Sequence, residues 1–163
     1  KATVVDSATI TDNGDYVYSG TAWMPTYRCF RASTDGSIVL SSGQQDAPLT
    51  TIQSQRGSIA TLSGGHIVMQ QTGIFRVSYS VHFYDFQANA GVFSALLVNG
   101  TGLNGFTAGQ PHTATSGGWH GSTAIPPMPV QLNSGDVIAL QTALSAGATQ
   151  IRQDGTNVLV ESI

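Results

Sequence analysis

Polar and apolar side chains alternate along the segment 74–86, most regularly from Phe75 to Phe83. Phe75, Val77, Tyr79, Val81 and Phe83 fall on one side of this segment, and Arg76, Ser78, Ser80, His82 and Tyr84 on the other. Successive side chains of an extended chain point to opposite faces, so a period of two with one apolar face predicts a half-buried sheet strand. Shorter runs of the same kind occupy 92–98, 130–132, 137–142 and 157–163. Turn-forming pairs punctuate the chain at Asp35-Gly36, Ser42-Gly43, Gly64-Gly65, Asn99-Gly100, Ser134-Gly135 and Asp154-Gly155. No apolar period of 3.6 residues is sustained. Strands without helices must bury their apolar faces against one another, which predicts an all-β domain, a two-sheet antiparallel sandwich of the jelly-roll kind.

Two segments depart from this pattern. Residues 101–129, with Gly117-Gly118 and Pro126-Pro127, read as loop-rich. Residues 1–28 read as an N-terminal hairpin or linker appended to the main domain, 29–163. Asn13-Gly14 supplies its turn because both residues tolerate positive φ. Tyr16 and Tyr18 share a face, and Pro25 is expected to interrupt the ladder.

Composition narrows the function. Charged residues make up 9% of the chain, against roughly 25% in ordinary soluble domains. Lys1 and Glu161 are the only residues of their types. A helix bundle needs Lys, Glu, Arg and Leu on its faces, and those are scarce. A hydrophobic content of 40% with a net charge of −3 does not fit a solvated, disordered chain. At 163 residues one domain is expected, burying roughly 70% of its unfolded surface. The basic residues stand at 1, 28, 31, 56, 76 and 152, too scattered for a phosphate backbone, so nucleic acid is not an expected partner. No apolar run reaches the length of a membrane helix, and no membrane insertion is expected. No signal peptide is legible, and a start at Lys1 without Met reads as a fragment or a trimmed chain. The single Cys29 cannot close an intrachain disulfide. It reads as a small half-buried residue at a strand start, with an intersubunit bridge or a reactive thiol as alternatives. Without a disulfide framework, assembly in a reducing cytosol is expected. A wettable surface of Gln, Ser, Thr and Gly with few tryptic sites suits a final location outside cells.

Three stretches together resemble the globular head shared by complement subunit q and tumour necrosis factor. Gln71-Thr72-Gly73-Ile74-Phe75-Arg76-Val77-Ser78-Tyr79-Ser80-Val81 is similar to that family's glycine-initiated aromatic strand. Phe93-Ser94-Ala95-Leu96-Leu97-Val98-Asn99-Gly100 is similar to its next strand and hairpin. Val130-Gln131-Leu132-Asn133-Ser134-Gly135-Asp136-Val137-Ile138-Ala139-Leu140-Gln141 is similar to its "vqLnaGDvVyLq" segment, where Gly-Asp turns into a central strand. The resemblance covers about 29–163, and 101–129 is not recognisable in it. It implies a tumour necrosis factor-like jelly roll that assembles as a homotrimer, with Phe75, Tyr79 and Phe83 as the aromatic face of core or trimer seam. A trimer would also mask sheet edges that few lysines protect. Separately, Gly14-Asp15-Tyr16-Val17-Tyr18-Ser19-Gly20-Thr21-Ala22-Trp23 is similar to a hairpin found in tail and fibre proteins of bacterial viruses.

Candidate chemistry is sparse. His66 and His82 lie in strand patterns, and His112 and His120 in the loop-rich region. No Gly-x-Ser-x-Gly elbow supplies a nucleophile. Asp12, Asp15, Asp35, Asp46, Asp136 and Asp154 mostly stand beside Gly or Asn, where turn chemistry explains them. Asp85 is the least explained. The chain has neither His-x-His nor a second Cys, and Asp12-Asn13-Gly14-Asp15 lacks the full spacing of a calcium loop, so no metal site and no cofactor are expected. Trp119-His120, between Gly117-Gly118 and Gly121, places a large aromatic in a flexible setting suited to sugar rings or protein hot spots. Trp119 could instead fold back over the sandwich end or a subunit seam. Tyr84 and Phe86 read as a second exposed patch or as intersubunit core.

The expectation is a non-enzymatic trimeric head of a phage spike or fibre on the virion surface, assembled in the host cytoplasm. It would bind a host surface glycan or protein receptor through Trp119, His120, Tyr84, Phe86 and His112, and contact itself and stalk or tail proteins. A structural or adhesive tip of a spore or bacterial filament is the alternative, and a small glycan-cleaving hydrolase ranks third.

Overall fold

The computed structural model describes residues 2–4, 14–18, 23–25, 27–86, 91–111, 119–145, 149–152 and 155–163. The N-terminal strands are β1 (Ala2–Val4), β2 (Gly14–Tyr18) and β3 (Trp23–Pro25). They pair only with one another among the described residues, in the order β1-β2-β3. Pro25 closes β3 opposite Tyr16 instead of interrupting the ladder. A proline is tolerated there because an edge strand does not need its N–H on the outer side. Asn13, the other half of the expected turn, lies outside the described residues.

Next come β4 (Cys29–Ser33), β5 (Ser37–Leu40), β6 (Gly43–Asp46), β7 (Thr51–Arg56), β8 (Ala60–Ser63) and β9 (His66–Met69). The long strands follow: β10 (Gly73–Phe86), β11 (Gly91–Val98), β12 (Thr101–Pro111) and β13 (Trp119–Leu132). The chain closes with β14 (Val137–Leu144), β15 (Thr149–Arg152) and β16 (Asn157–Ser162). A seven-stranded sheet runs β5-β15-β10-β16-β4-β7, with β13 on β10. A six-stranded sheet runs β12-β11-β14-β9-β8, with β6 on β14. All pairings are antiparallel. Crossing between sheets after β5, β6, β7, β9, β10, β12, β13 and β14 gives the expected jelly-roll sandwich, and no helix occurs among the described residues.

The core lies between the two sheets. Phe75, Val77, Tyr79, Val81 and Phe83 of β10 are 0–3% exposed. They meet Phe30 of β4, Val158 and Val160 of β16, and Ile67, Met69, Leu96 and Leu140 of the opposite sheet. Each such side chain contributes about 1.5–3 kcal/mol on burial, so this face drives the sheets together. Phe75, Tyr79 and Phe83 are thus buried between the two sheets. Cys29 opens β4 as a half-buried free thiol.

Residues 101–129 are corrected by the structure. Most of the segment is strand, in β12 and β13, and the short strand expected at 130–132 is the end of the latter. Pro126 and Pro127 lie inside β13, where the register steps from Val77↔Met128 to Tyr79↔Ile125. Two residues therefore face Ser78 alone, a β-bulge that absorbs the missing N–H groups. Among the described residues β13 pairs only with β10, so Pro126, Pro127 and Pro129 also blunt an open sheet edge. Asp15 and Asp46 likewise sit in strands, β2 and β6, not in turns.

Candidate functional site

Strands β10 and β13 run together to one end of the seven-stranded sheet, where the last pairs are Tyr84↔His120 and Phe86↔Trp119. Register thereby assembles four of the five residues expected to bind. His112 lies outside the described residues, as do the side chains of Phe86 and Trp119. His120 is corrected from loop to strand, a position that fixes its backbone instead of leaving it flexible.

Alternation along β10 sends Phe83 inward and leaves His82 and Tyr84 half-buried on the outer face. The exposed His120 ring packs edge-on against Tyr84, with centroids 4.2 Å apart and planes at 83°. Such T-shaped contacts place the positive ring edge against the negative face. The His82 ring stands 6.3 Å from that of His120. The segment before β16 holds β10 in place beneath this cluster. The His82 backbone N–H donates to Thr156 Oγ1 at 3.0 Å, and Ser80 Oγ donates to the Gly155 carbonyl. A Cβ on Gly155 would lie 3.0 Å from His82 Cβ, so a side chain there would push the cluster. The result is a small platform of two imidazoles and a phenol. It offers ring faces and hydrogen-bonding groups to a ligand.

Other candidate groups are dispersed. His66 Nε2 stands 3.6 Å from Asp46 Oδ2, a pairing of β9 with β6 that local sequence does not signal. The Asp46 side chain is exposed and that of His66 half-buried, and an ion pair in that setting contributes little. Asp136 serves its turn: Oδ2 accepts the Asn133 backbone N–H at 2.7 Å and Oδ1 accepts Asn99 Nδ2 at 2.8 Å. Among the described residues no three His, Cys, Asp or Glu side chains converge as metal ligands do. The side chain of Asp85 lies outside the described residues.

A buried polar cluster also escapes sequence reading. The Tyr79 hydroxyl donates to the Ser94 carbonyl at 2.8 Å, and Ser94 Oγ donates to that hydroxyl at 3.2 Å. Thr123 Oγ1 lies 2.5 Å from Ser94 Oγ. These side chains come from β10, β11 and β13, so the cluster ties the two sheets together. Its only sequence signal is the polar Ser94 among the apolar residues of β11.

No protein-family model matches the chain, and no curated protein sequence does. Solved structures do. Eiger TNF from S. frugiperda superposes with a TM-score of 0.63 at 15% identity, over 84% of this chain and 91% of that one. Murine APRIL at pH 8.5 gives 0.61 at 15% identity, over 85% of this chain and 100% of that one. Murine APRIL at pH 5.0 gives 0.62 with the same identity and coverage. Strand order, inward aromatic face and these likenesses agree: the chain folds as a tumour necrosis factor-like jelly roll.

Proposed function

We propose that this domain is a non-enzymatic homotrimeric head of a viral spike or tail fibre, and that it attaches the particle to a receptor on a bacterial surface. The observation that carries the reading is the juxtaposition of Tyr84↔His120 and Phe86↔Trp119 at one end of a rigid sheet. Aromatic groups on adjacent strands present apolar area and hydrogen-bonding edges at low entropic cost, which is what a recognition hot spot requires. The similarity of 14–23 to tail and fibre hairpins supports the viral setting. In it, residues 1–28 join the head, 29–163, to stalk or tail proteins, and the domain is assembled in host cytoplasm for display on the virion surface. The fold's likeness to a trimeric family supports the threefold state. Three copies facing repeated receptors gain avidity of roughly 10²–10⁴ over one.

Adsorption of the virus, competed by the purified domain, tests this reading. Trp119→Ala and His120→Ala should weaken the competition and leave assembly mass and melting unchanged. Undiminished competition by both variants would overturn the assignment of the binding end.

A further inference from the structure

The six-stranded sheet carries a hollow of about 440 Å³ on its outer face. Register explains its shape. One row across the sheet reads Gln44↔Ala143↔Phe93↔Gly109, and the neighbouring row places Gln141 beside Ala95. Alanines and glycines make a low floor, with Phe93 and the two glutamines standing over it. The Phe93 ring is 43% exposed. It lies across bare backbone: a Cβ on Gly109 would come within 2.5 Å of Cδ1, and one on Gly91 within 3.1 Å of Cε2. Its position is therefore fixed before any ligand arrives.

We propose that this hollow binds a neutral saccharide, with one sugar ring laid on Phe93 and its hydroxyls met by the amides of Gln44 and Gln141. Four observations lead to that class of ligand. None of the described lining residues is charged, so neither an anion nor a cation finds a counter-charge. The backbone of Gln44, Phe93, Ala95, Gln141 and Ala143 lies in the ladders of β6, β11 and β14, so these residues present side chains and not a nest of free N–H groups to a ligand. Each amide both donates and accepts, as sugar hydroxyls do. The volume falls within the roughly 300–1,000 Å³ range of small-ligand sites. A fixed aromatic ring beside two amides matches a sugar's apolar C–H face and its polar rim. The inference goes beyond the attachment reading and does not depend on it, since it concerns the other sheet and none of the residues at the Tyr84 end.

Titration of the full chain with lactose, maltose and cellobiose, followed by NMR, tests the proposal, with glucuronic acid and glucosamine as charged comparators. The neutral sugars should shift Phe93, Ala95 and Gln141 resonances. Gln141→Ala should weaken binding about tenfold, the value of one hydrogen bond. Phe93→Ala would uncover Gly109, so Ala95→Leu is the decisive variant. It fills the hollow from an outward position and should abolish binding while melting is retained. The proposal is overturned if no neutral sugar shifts these resonances at millimolar concentration, or if the charged sugars are preferred. Binding that survives Ala95→Leu overturns it too, as do concentration-dependent shifts at the same residues without sugar, which would mark the hollow as a contact between copies.

Discussion

Asn99 and Asp136 lock two neighbouring strand ends together: the Asn99 amide donates to Asp136 Oδ1 at 2.8 Å and its oxygen accepts the Val137 N–H at 2.9 Å. Asn99 does this from the left-handed region, at φ 52°, which asparagine tolerates better than most residues. The pair closes the β11–β12 hairpin onto the start of β14.

Its first consequence is a pH dependence. The Asn133 backbone N–H, and after it the Asn99 amide, hold the Asp136 carboxyl below the usual carboxylate range. A depressed folded pKa stabilises the fold above the unfolded value of about 3.9 and is lost as pH falls through the folded value. Urea midpoints measured from about pH 6 to about pH 2 should therefore decline. Asp136→Asn should lower the midpoint at neutral pH and flatten that decline; an equally steep curve would remove Asp136 as its source.

The Tyr79–Ser94–Thr123 cluster gives a second expectation. Thr123→Val keeps the shape of the side chain but deprives buried Ser94 Oγ of a partner. Tyr79→Phe removes the hydroxyl that bonds the opposite sheet. Each should cost about 1–3 kcal/mol by chemical denaturation. The double variant should cost more than the sum, because each single variant leaves Ser94 Oγ one partner and only the double leaves it none.

Gly64 and Gly65 make a controlled comparison. Both have positive φ, at 58° and 81°. A Cβ on Gly64 meets open space, whereas one on Gly65 would lie 2.9 Å from Pro48 Cβ. Alanine at either position incurs about 1–2 kcal/mol from backbone strain. Gly65→Ala should lower the melting temperature further, because the Pro48 backbone is held by the Leu49 N–H donating to the Gly65 carbonyl at 2.9 Å. Equal melting of the two variants would dismiss the Pro48 contact.

Light scattering addresses assembly directly. The attachment reading expects a particle of three times the 17.0 kDa chain mass. A monomer at micromolar concentration would end the trimeric part of that reading and leave the fold untouched.

Much of the fold is legible in the residues themselves. Alternation through 74–86 is a local property of an extended chain, so it is enough to announce β10 and its inward face of Phe75, Val77, Tyr79, Val81 and Phe83. Gly135 and Asp136 likewise carry their turn in their own chemistry, a positive φ and a carboxylate that bonds the backbone nearby. Residues 101–129 carry no such signal. β12 is rich in glycine, and β13 contains three prolines that argue against a strand. Both extend because β11 and β10 lie alongside to receive their hydrogen bonds, with a bulge at Ser78 taking up Pro126 and Pro127.

The sites divide in the same way. Sequence alone determined that Tyr84 stands on an outward row and that Trp119 and His120 are aromatic groups near glycines. Only the tertiary structure decided that Tyr84 meets His120, that Asp46 meets His66, and that Phe93 lies over Gly109. Each of those pairs joins segments distant in the chain, and what brings them together is strand register. Register follows from burying every inward face at once, so no single segment contains it.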